Sequence, residues 1–244
     1  NIKAVMHHPI STYRLQFHKD FPFADLASLI PYLRKLGVGT IYASPILAAT
    51  GGSTHGYDGI DPRRIDPELG TIDQLREISH ELKKSGIGWL QDIVPNHMAY
   101  HSENQWLMDV LEKGRLSAYA PFFDTSMNGH FYQGKIMAPF LGKELDETIT
   151  AGELTMGYTG GRLTLNFGDS CYPVNLRAYL VMLDLDGMEH PQSVRQLVEL
   201  LKEIHETEDV TTFAAQWREF LLQLSSLYKT ESFEAYLKNT LAYV

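Results

Sequence analysis

Residues 89–97 read W-L-Q-D-I-V-P-N-H. The apolar residues of this stretch predict a buried strand that stops at Pro95, because proline cannot continue a strand ladder. Asp92, Asn96 and His97 would then gather where the strand ends and a loop begins. In a parallel α/β architecture, binding and catalytic groups collect at this end of the strands. The stretch therefore predicts both the class of fold and the position of a site.

The chain before this stretch alternates between strand-like and helix-like patterns. The predicted elements are a strand over residues 10–17, a helix over 23–36 capped by Gly37, a strand over 38–43, and a helix over 72–82 that ends before Gly86. Residues 48–70 lie between the second strand and the second helix. They are too rich in Gly, Pro and Asp for either helix or strand, and so predict a long functional loop.

The order β-α-β-α-β predicts a parallel sheet covered by helices. A doubly wound sheet and a (β/α)8 barrel both begin in this way. No G-x-G-x-x-G follows the first strand, and the candidate polar residues follow the second and third strands instead. The predicted fold class is therefore α/β, with the first three β/α units of a (β/α)8 TIM barrel.

The rest of the chain loses this regularity. Residues 154–158 and 163–167 alternate on either side of Gly160-Gly161, which predicts a tight hairpin within a β-rich insertion after the third strand. Three amphipathic helices follow without visible strands. The predicted segments are 1–98, the first part of the barrel; 99–187, the β-rich insertion; and 188–244, a helical C-terminal segment.

Composition limits the partners of the chain. Its 30 acidic and 21 basic residues give a formal charge of −9, and no Lys/Arg cluster offers a footprint for nucleic acid or an anionic membrane. One cysteine, Cys171, excludes an internal disulfide framework and fits a reducing compartment, so we predict a cytoplasmic location. There is no apolar run of about 18 residues and no basic-then-apolar amino terminus, so neither a membrane span nor a signal peptide is predicted.

Four ordered motifs carry a resemblance to a known family. They are Y-A-S-P-I-L at 42–47, G-S-T-H-G-Y-D at 52–58, I-D-P-E-L-G at 65–70 and D-I-V-P-N-H at 92–97. Together they resemble the α-amylase superfamily, retaining (β/α)8 glycoside hydrolases that act on α-glucans. With S-T-Y-R-L-Q-F at 11–17 and N-Q-W-L-M-D-V-L-E-K-G at 104–114, the chain looks like the maltooligosyltrehalose synthase family. That family rearranges the reducing-end α-1,4 linkage of a maltooligosaccharide into an α,α-1,1 (trehalose) linkage by intramolecular transglycosylation.

The resemblance implies roles for individual residues. Asp92 would hold an Arg near the nucleophile, and His97 would donate to the sugar in the cleavage subsite. Asn96 would support the loop or, as in some members of the superfamily, ligate calcium. The Tyr57 ring would stack on the C–H face of that sugar. The implied substrate-binding set is His55, Tyr57, Asp58, Asp92 and His97, with Tyr42, Ser44, Asp61, Asn96 and Trp106 in supporting roles. Structural roles stay open for Asp61, Tyr42 and Ser44, and Trp106 is either a sugar platform or part of the insertion core.

The carboxylate pair of a retaining glycosidase has no counterpart in the motifs. Such enzymes need two carboxyl groups about 5 Å apart, and the family places the nucleophile after the fourth strand and the acid after the fifth. We therefore expect no catalytic residue in this chain, both groups beyond Val244, and no activity from the chain alone. The free edge of three parallel strands also predicts self-association.

The sequence gives weaker support for other kinds of site. His55, His97, His101 and Asp92 lack the spacing of a metal site, so neither a metal nor another cofactor is predicted. The expected partner is a maltooligosaccharide. Three functions stay open: a trehalose-forming enzyme, another α-amylase-family glycosidase or glucanotransferase, and a non-catalytic glucan-binding domain.

Overall fold

A computed structural model describes residues 8–125, 137, 139–185 and 189–243. The chain divides into two compact units, residues 1–104 (unit 1) and 105–244 (unit 2). Within unit 1, parallel strands and helices alternate as an α/β fold. Its elements are β1 (Thr12–Leu15), α1 (Phe23–Leu36), β2 (Thr40–Ala43), β3 (Leu47–Ala49), β4 (Gly59–Ile65), α2 (Ile72–Lys84) and β5 (Gly88–Gln91).

The sheet of unit 1 has the order β1-β2-β5, with both pairs parallel. Helix α1 connects β1 to β2, and its apolar residues face the core because they recur at helical spacing. Gly37 caps α1 in the left-handed conformation at φ 79°. Thr71 and Gln74 form a reciprocal capping box at the start of α2. Sheet and helices share one core, which includes Phe17, stacked on Trp89, and Leu26.

The expectation that residues 48–70 form neither helix nor strand is wrong. Strands β3 and β4 pair as an antiparallel hairpin that occupies much of this stretch. Leu47 pairs with Ile65 and Ala48 with Asp61, so the register shifts across the segment that contains Pro62. Proline is tolerated at such a bulge, where the ladder does not need its missing N–H. The Gly, Pro and Asp content of residues 48–70 suggests a loop, because composition does not reveal a bulge that lets a strand contain proline.

The expected buried strand at 89–94 is also corrected. Strand β5 ends at Gln91, and Leu90 and Ile93 are 46% and 66% exposed. Among the described residues, β5 has a strand partner on one side alone, β2. An edge strand buries less apolar surface than a central one, which explains why the apolar pattern is not buried here.

Unit 2 combines a β-meander with helices. Its elements are α3 (Gln105–Lys113), α4 (Leu145–Thr150), β6 (Leu154–Thr159), β7 (Arg162–Phe167), β8 (Ser170–Pro173), α5 (Leu176–Leu183), α6 (Gln192–His205), α7 (Val210–Tyr228) and α8 (Glu231–Tyr243), with short 3-10 turns at Gly114–Leu116 and Ala120–Phe122. The hairpin predicted at Gly160-Gly161 is present, and both glycines have positive φ, 61° and 84°. The three predicted C-terminal helices are α6, α7 and α8. Helices α3, α4 and α5 were not predicted.

One apolar core joins the parts of unit 2. Leu163 of β7, Tyr179 of α5, Leu201 of α6 and Trp217 of α7 belong to the same buried cluster. The sequence predicts boundaries at 98/99 and 187/188, whereas the observed division falls at 104/105, and residues on both sides of 187/188 share this core. Among the described helices, none combines the length and apolar character that a membrane crossing requires.

Candidate functional site

Side chains from three separate segments of unit 1 meet at one carboxylate. Asp92 follows β5 directly, Arg14 projects from β1, and Tyr57 lies in the turn before β4. Asp92 Oδ2 accepts a hydrogen bond from Tyr57 Oη at 2.5 Å and from Arg14 Nη1 at 2.9 Å. Arg14 Nη2 also donates to Tyr57 Oη at 2.8 Å. We call Arg14, Tyr42, Tyr57 and Asp92 the strand-end cluster.

Tyr42 completes this cluster from the neighbouring strand. Arg14 and Tyr42 are register partners of β1 and β2, and the guanidinium carbon lies 4.3 Å from the centre of the Tyr42 ring. This distance is that of a cation–π contact. The Tyr42 hydroxyl reaches Asp92 Oδ2 at 3.4 Å. The supporting role in substrate binding that is expected of Tyr42 stays a prediction.

The cluster favours an ionised Asp92 and a neutral Tyr57. The hydrogen bond from Tyr57, followed by that from Arg14, lowers the pKa of the Asp92 carboxyl below its ordinary value. The same bond to Asp92, with burial, raises the pKa of the Tyr57 phenol, although Arg14 acts in the opposite direction. Tyr57 therefore donates its proton and Asp92 accepts it. The arginine that contacts Asp92 in this structure is Arg14 of β1. The expectation that Asp92 holds an arginine near the nucleophile stays a prediction.

His97 contacts the backbone of the same turn. Its Nε2 lies 3.1 Å from the carbonyl oxygen of Tyr57, and its Nδ1 lies 3.3 Å from Asn96 Oδ1. The ring is thus placed beside Tyr57, with Asn96 orienting it from the other side. This arrangement brings together three of the residues that the sequence singled out. The sugar contact expected of His97 stays a prediction.

Asp58 stabilises the turn that carries Tyr57. Its Oδ2 accepts from the Thr50 hydroxyl, and its Oδ1 accepts from the Ser53 hydroxyl at 2.5 Å and lies 3.5 Å from His55 Nδ1. Burial acts to raise the pKa of Asp58, but these hydroxyl donors hold it below the ordinary value. Both oxygens of Asp58 therefore have protein donors. A sugar hydroxyl at this carboxylate would have to share or displace one of them.

The remaining supporting residues have identifiable partners. Ser44 is fully buried, and its hydroxyl accepts a hydrogen bond from the backbone N–H of Phe17 at 2.8 Å, which ties β2 to the end of β1. Asp61 forms ion pairs with Arg63 at 3.0 Å and Arg64 at 3.5 Å.

Trp106 belongs to unit 2, where its ring lies 5.1 Å from the rings of Tyr119 and Phe122. The two roles left open for Trp106, a sugar platform and part of the insertion core, stay predictions.

A pocket of about 160 Å³ lies beside the strand-end cluster, within unit 1. Its walls are mostly apolar, and its polar groups include Asp92 and His97. The other lining residues are Pro45, Ile46, Leu47, Ala48, Gly56, Gly59, Asp61, Pro62, Gln91, Ile93, Val94 and Met98. Among the described residues, no group of three or more His, Cys, Asp or Glu side chains is arranged to hold a metal ion. An apolar wall with a few polar groups is typical of a small-molecule site.

The amino-terminal part of this chain is similar to known proteins. Residues 24–144 match the model of the alpha amylase catalytic domain. A Mycobacterium tuberculosis protein described as a maltooligosyl trehalose synthase is 46% identical over 144 residues, which cover 56% of this chain and 19% of that protein. Residues 24–144 of this chain are therefore similar to the alpha amylase catalytic domain.

Solved structures show the same similarity. A crystal structure of maltooligosyl trehalose synthase superposes with a TM-score of 0.62 at 41% identity, over 68% of this chain and 22% of that one. The maltooligosyltrehalose synthase of Arthrobacter ramosus superposes with a TM-score of 0.60 at 34% identity, over 77% and 23%. This chain therefore spans about a fifth of the length of the alpha-amylase-family relatives that it matches.

The alpha-amylase match contains most of the candidate residues but not all of them. Tyr42, Tyr57, Asp92 and His97 lie within residues 24–144, whereas Arg14 lies before them. Arg14 lies within the motif at 11–17, but the sequence predicts no role for it in the site. Its contacts make it a functional candidate that only the register of β1 and β2 reveals.

Proposed function

We propose that this chain is part of an α-glucan-active enzyme and that its strand-end cluster helps to bind a sugar unit of the substrate. The proposed enzyme converts the reducing-end α-1,4 linkage of maltooligosaccharides into an α,α-1,1 linkage. The relatives named as maltooligosyl trehalose synthases support the enzyme type. Their length means that the activity of the whole protein is part of this proposal. The single cysteine, Cys171, supports a cytoplasmic location.

The observation that carries the proposal is the arrangement of Asp92. Its Oδ2 holds Tyr57 and Arg14, whereas its Oδ1 receives no hydrogen bond from the residues that the structure describes. Oδ1 is thus available to a sugar hydroxyl beside the half-buried Tyr57 ring. A pyranose presents a C–H face to an aromatic ring and hydroxyls to polar neighbours, so one glucose unit can use both groups.

The same geometry supports a non-catalytic role for the three carboxylates of this region. Asp92 keeps Oδ1 for a ligand, but the pKa values of Asp58, Asp61 and Asp92 all lie below the ordinary value because of hydrogen-bond donors, so none of the three is suited to be the protonated acid. A retaining mechanism needs one free nucleophilic carboxylate and one protonated acid about 5 Å apart. We therefore propose that the reacting carboxylates are not among these residues, and that the 244-residue chain binds glucan without cleaving it.

Titration calorimetry of the chain with maltopentaose tests the binding step. Tyr57→Ala is expected to weaken binding roughly three- to tenfold through loss of the ring contact. Asp92→Asn should weaken it as well, because it removes the charge that holds Arg14. Tyr32→Ala, which removes a 55% exposed tyrosine on α1, is the matched control and should leave affinity unchanged. Absence of binding by the unmodified chain would reject the proposal.

Product analysis of the complete protein that contains this sequence tests the reaction. Maltopentaose should yield a product of the same mass without a free reducing end. The alternative is a hydrolytic or glucan-transferring enzyme, which is favoured by the 40% identity over 94 residues to the maltogenic alpha-amylase of Bacillus acidopullulyticus, across 38% of this chain and 15% of that one. Release of free short sugars would support that alternative and reject the trehalose-forming reaction.

A further inference from the structure

We propose that Arg14 is a positioning residue of the strand-end cluster, which fixes Tyr57 and Asp92 in the orientation that binds a glucose unit without contacting the glucan itself. The inference rests on the proposed function. It concerns a residue outside the span that matches the alpha-amylase catalytic domain, residues 24–144. It is carried by three independent contacts of one guanidinium group.

The first contact fixes the plane of the guanidinium. Arg14 lies 4.3 Å from the centre of the Tyr42 ring, and the two residues are register partners in adjacent strands. A planar cation over an aromatic face has less rotational freedom than a solvated side chain. The two strands therefore hold the guanidinium in a defined orientation.

The other two contacts use different nitrogens of that plane. Nη1 donates to Asp92 Oδ2 at 2.9 Å and Nη2 donates to Tyr57 Oη at 2.8 Å. Because the guanidinium fork is rigid, these bonds set the distance and direction between the two oxygens. A lysine ammonium keeps the charge but is a point donor on a flexible stem, and it lacks this fork.

The fork also determines which atoms are left for a ligand. The Tyr57 hydroxyl donates its one proton to Asp92 and accepts from Arg14, so it has no proton left to donate to a ligand. Asp92 Oδ2 is occupied as well, and Oδ1 remains. A bound glucose unit then contacts the Tyr57 ring and Asp92 Oδ1, and Arg14 lies behind both groups.

A double-mutant cycle separates positioning from direct contact. Maltopentaose affinity is measured by titration calorimetry for the unmodified chain, Arg14→Gln, Asp92→Asn and the double variant. Arg14→Gln alone is expected to weaken binding roughly tenfold, the size of a lost charge-assisted hydrogen bond. In the Asp92→Asn background the same change should have little further effect. Additive losses would show that Arg14 contacts the glucan and would overturn the proposal.

A second readout does not depend on glucan. The pKa of Tyr57 is measured by NMR of 13Cζ-labelled tyrosine in the unmodified chain and in Arg14→Lys. Tyr57→Phe identifies the signal of Tyr57. The charged and titratable groups that face its hydroxyl are Arg14 and Asp92, and the His55 ring centre lies 6.0 Å from the Tyr57 ring centre. Asp92 raises the Tyr57 pKa and Arg14 lowers it, and lysine retains the positive charge.

The Asp92→Asn substitution in the two backgrounds tests the proposal. It removes the carboxylate that raises the Tyr57 pKa, so if the fork positions Tyr57 on Asp92, the resulting fall in the Tyr57 pKa should be larger with Arg14 present than in the Arg14→Lys background. An equal fall in both backgrounds would overturn the proposal, because the Tyr57–Asp92 pair would then persist without the fork. Arg76→Gln, which removes an exposed arginine on α2, is the control and should leave Tyr57 unaffected.

Circular dichroism at each pH restricts the NMR comparison to folded protein. If the unmodified chain fails to bind maltopentaose, the proposed function fails, whereas the Tyr57 titration still decides whether Arg14 positions the cluster.

Discussion

The two oxygens of the Asp92 carboxylate have different environments. Oδ2 accepts hydrogen bonds from Tyr57 and Arg14 and lies 3.4 Å from the Tyr42 hydroxyl, whereas Oδ1 receives none from the residues that are described. Hydrogen bonds to a charged group contribute about 1.5–3 kcal/mol. The ionised form of Asp92 is therefore part of the folded structure as well as of the proposed site, and this gives a pH dependence.

Stability should depend on pH through Asp92. Its pKa in the folded chain lies below the ordinary value, first because of the bond from Tyr57 and then because of Arg14. A carboxyl whose pKa is lowered by folding stabilises the folded state above its unfolded-state pKa, and this stabilisation is lost as pH falls through the folded-state pKa. The unfolding free energy of the unmodified chain should therefore exceed that of Asp92→Asn above about pH 5, and the difference should shrink below about pH 4.

Urea denaturation between about pH 3 and pH 7 measures this difference. Asp20→Asn is the control, since it removes a carboxylate whose side chain is 70% exposed, and its effect should be small throughout. A pH-independent difference between Asp92→Asn and the unmodified chain would contradict the prediction.

At the residue scale, the sequence shows part of the site. Tyr57, Asp92 and His97 could be selected because each stands in a motif beside a strand end. Arg14 could not, because alternation along one strand gives the face of a residue but not the strand that lies beside it. The contact of Arg14 with Tyr42 depends on register between segments far apart in the chain.

At the element scale, the β3–β4 hairpin gives Asp66, a residue of the motif at 65–70, a structural role. Asp66 is buried, and its carboxylate accepts hydrogen bonds from the backbone N–H groups of Ala49 at 3.0 Å and Glu68 at 2.9 Å. This residue therefore holds β3 against the turn that leads into α2. Helices α1, α2, α6, α7 and α8 could be predicted because periodicity and caps are local signals. The hairpin could not, because its register shift depends on the partner strand.

Gly56 and Gly52 provide a matched pair for testing the turn that carries Tyr57. Both have positive φ, 73° and 75°, so alanine would be strained at either position. A Cβ at Gly56 would also lie 2.7 Å from the carbonyl oxygen of Pro45, whereas nothing lies within 4 Å of one at Gly52. We expect Gly52→Ala to lower the unfolding free energy by about 1 kcal/mol and Gly56→Ala by about 2–3 kcal/mol, because of the added backbone clash.

Chemical denaturation of the two variants measures these costs, and maltopentaose affinity reports on the turn. Gly56→Ala should also weaken binding, since Tyr57 follows it directly, and Gly52→Ala should weaken it less. Equal effects of the two substitutions would show that the contact with Pro45 does not constrain the turn.

At the scale of the whole molecule, each unit has a core of its own. The core of unit 1 is formed by its sheet and helices, and that of unit 2 by β7 and helices α5 to α8. The parallel order β1-β2-β5 leaves β5 with one described strand partner. Leu90 of β5 and Ile93 just beyond it are exposed, whereas the sequence pattern predicts that they are buried.

The exposed edge of β5 is expected to drive self-association of the 244-residue chain. Ile93 is 66% and Leu90 46% exposed beside a strand whose outer N–H and C=O groups have no strand partner among the described residues. Exposed apolar edges recruit other chains, and a lysine at such an edge opposes pairing because its charge must stay hydrated. Ile93→Lys should therefore shift the chain toward the monomer in sedimentation velocity across a concentration series. Leu36→Lys, which removes a 53% exposed leucine at the end of α1, should not. A concentration-independent monomer for the unmodified chain would show that this edge is not an association surface, and equal effects of the two lysines would assign the change to net charge.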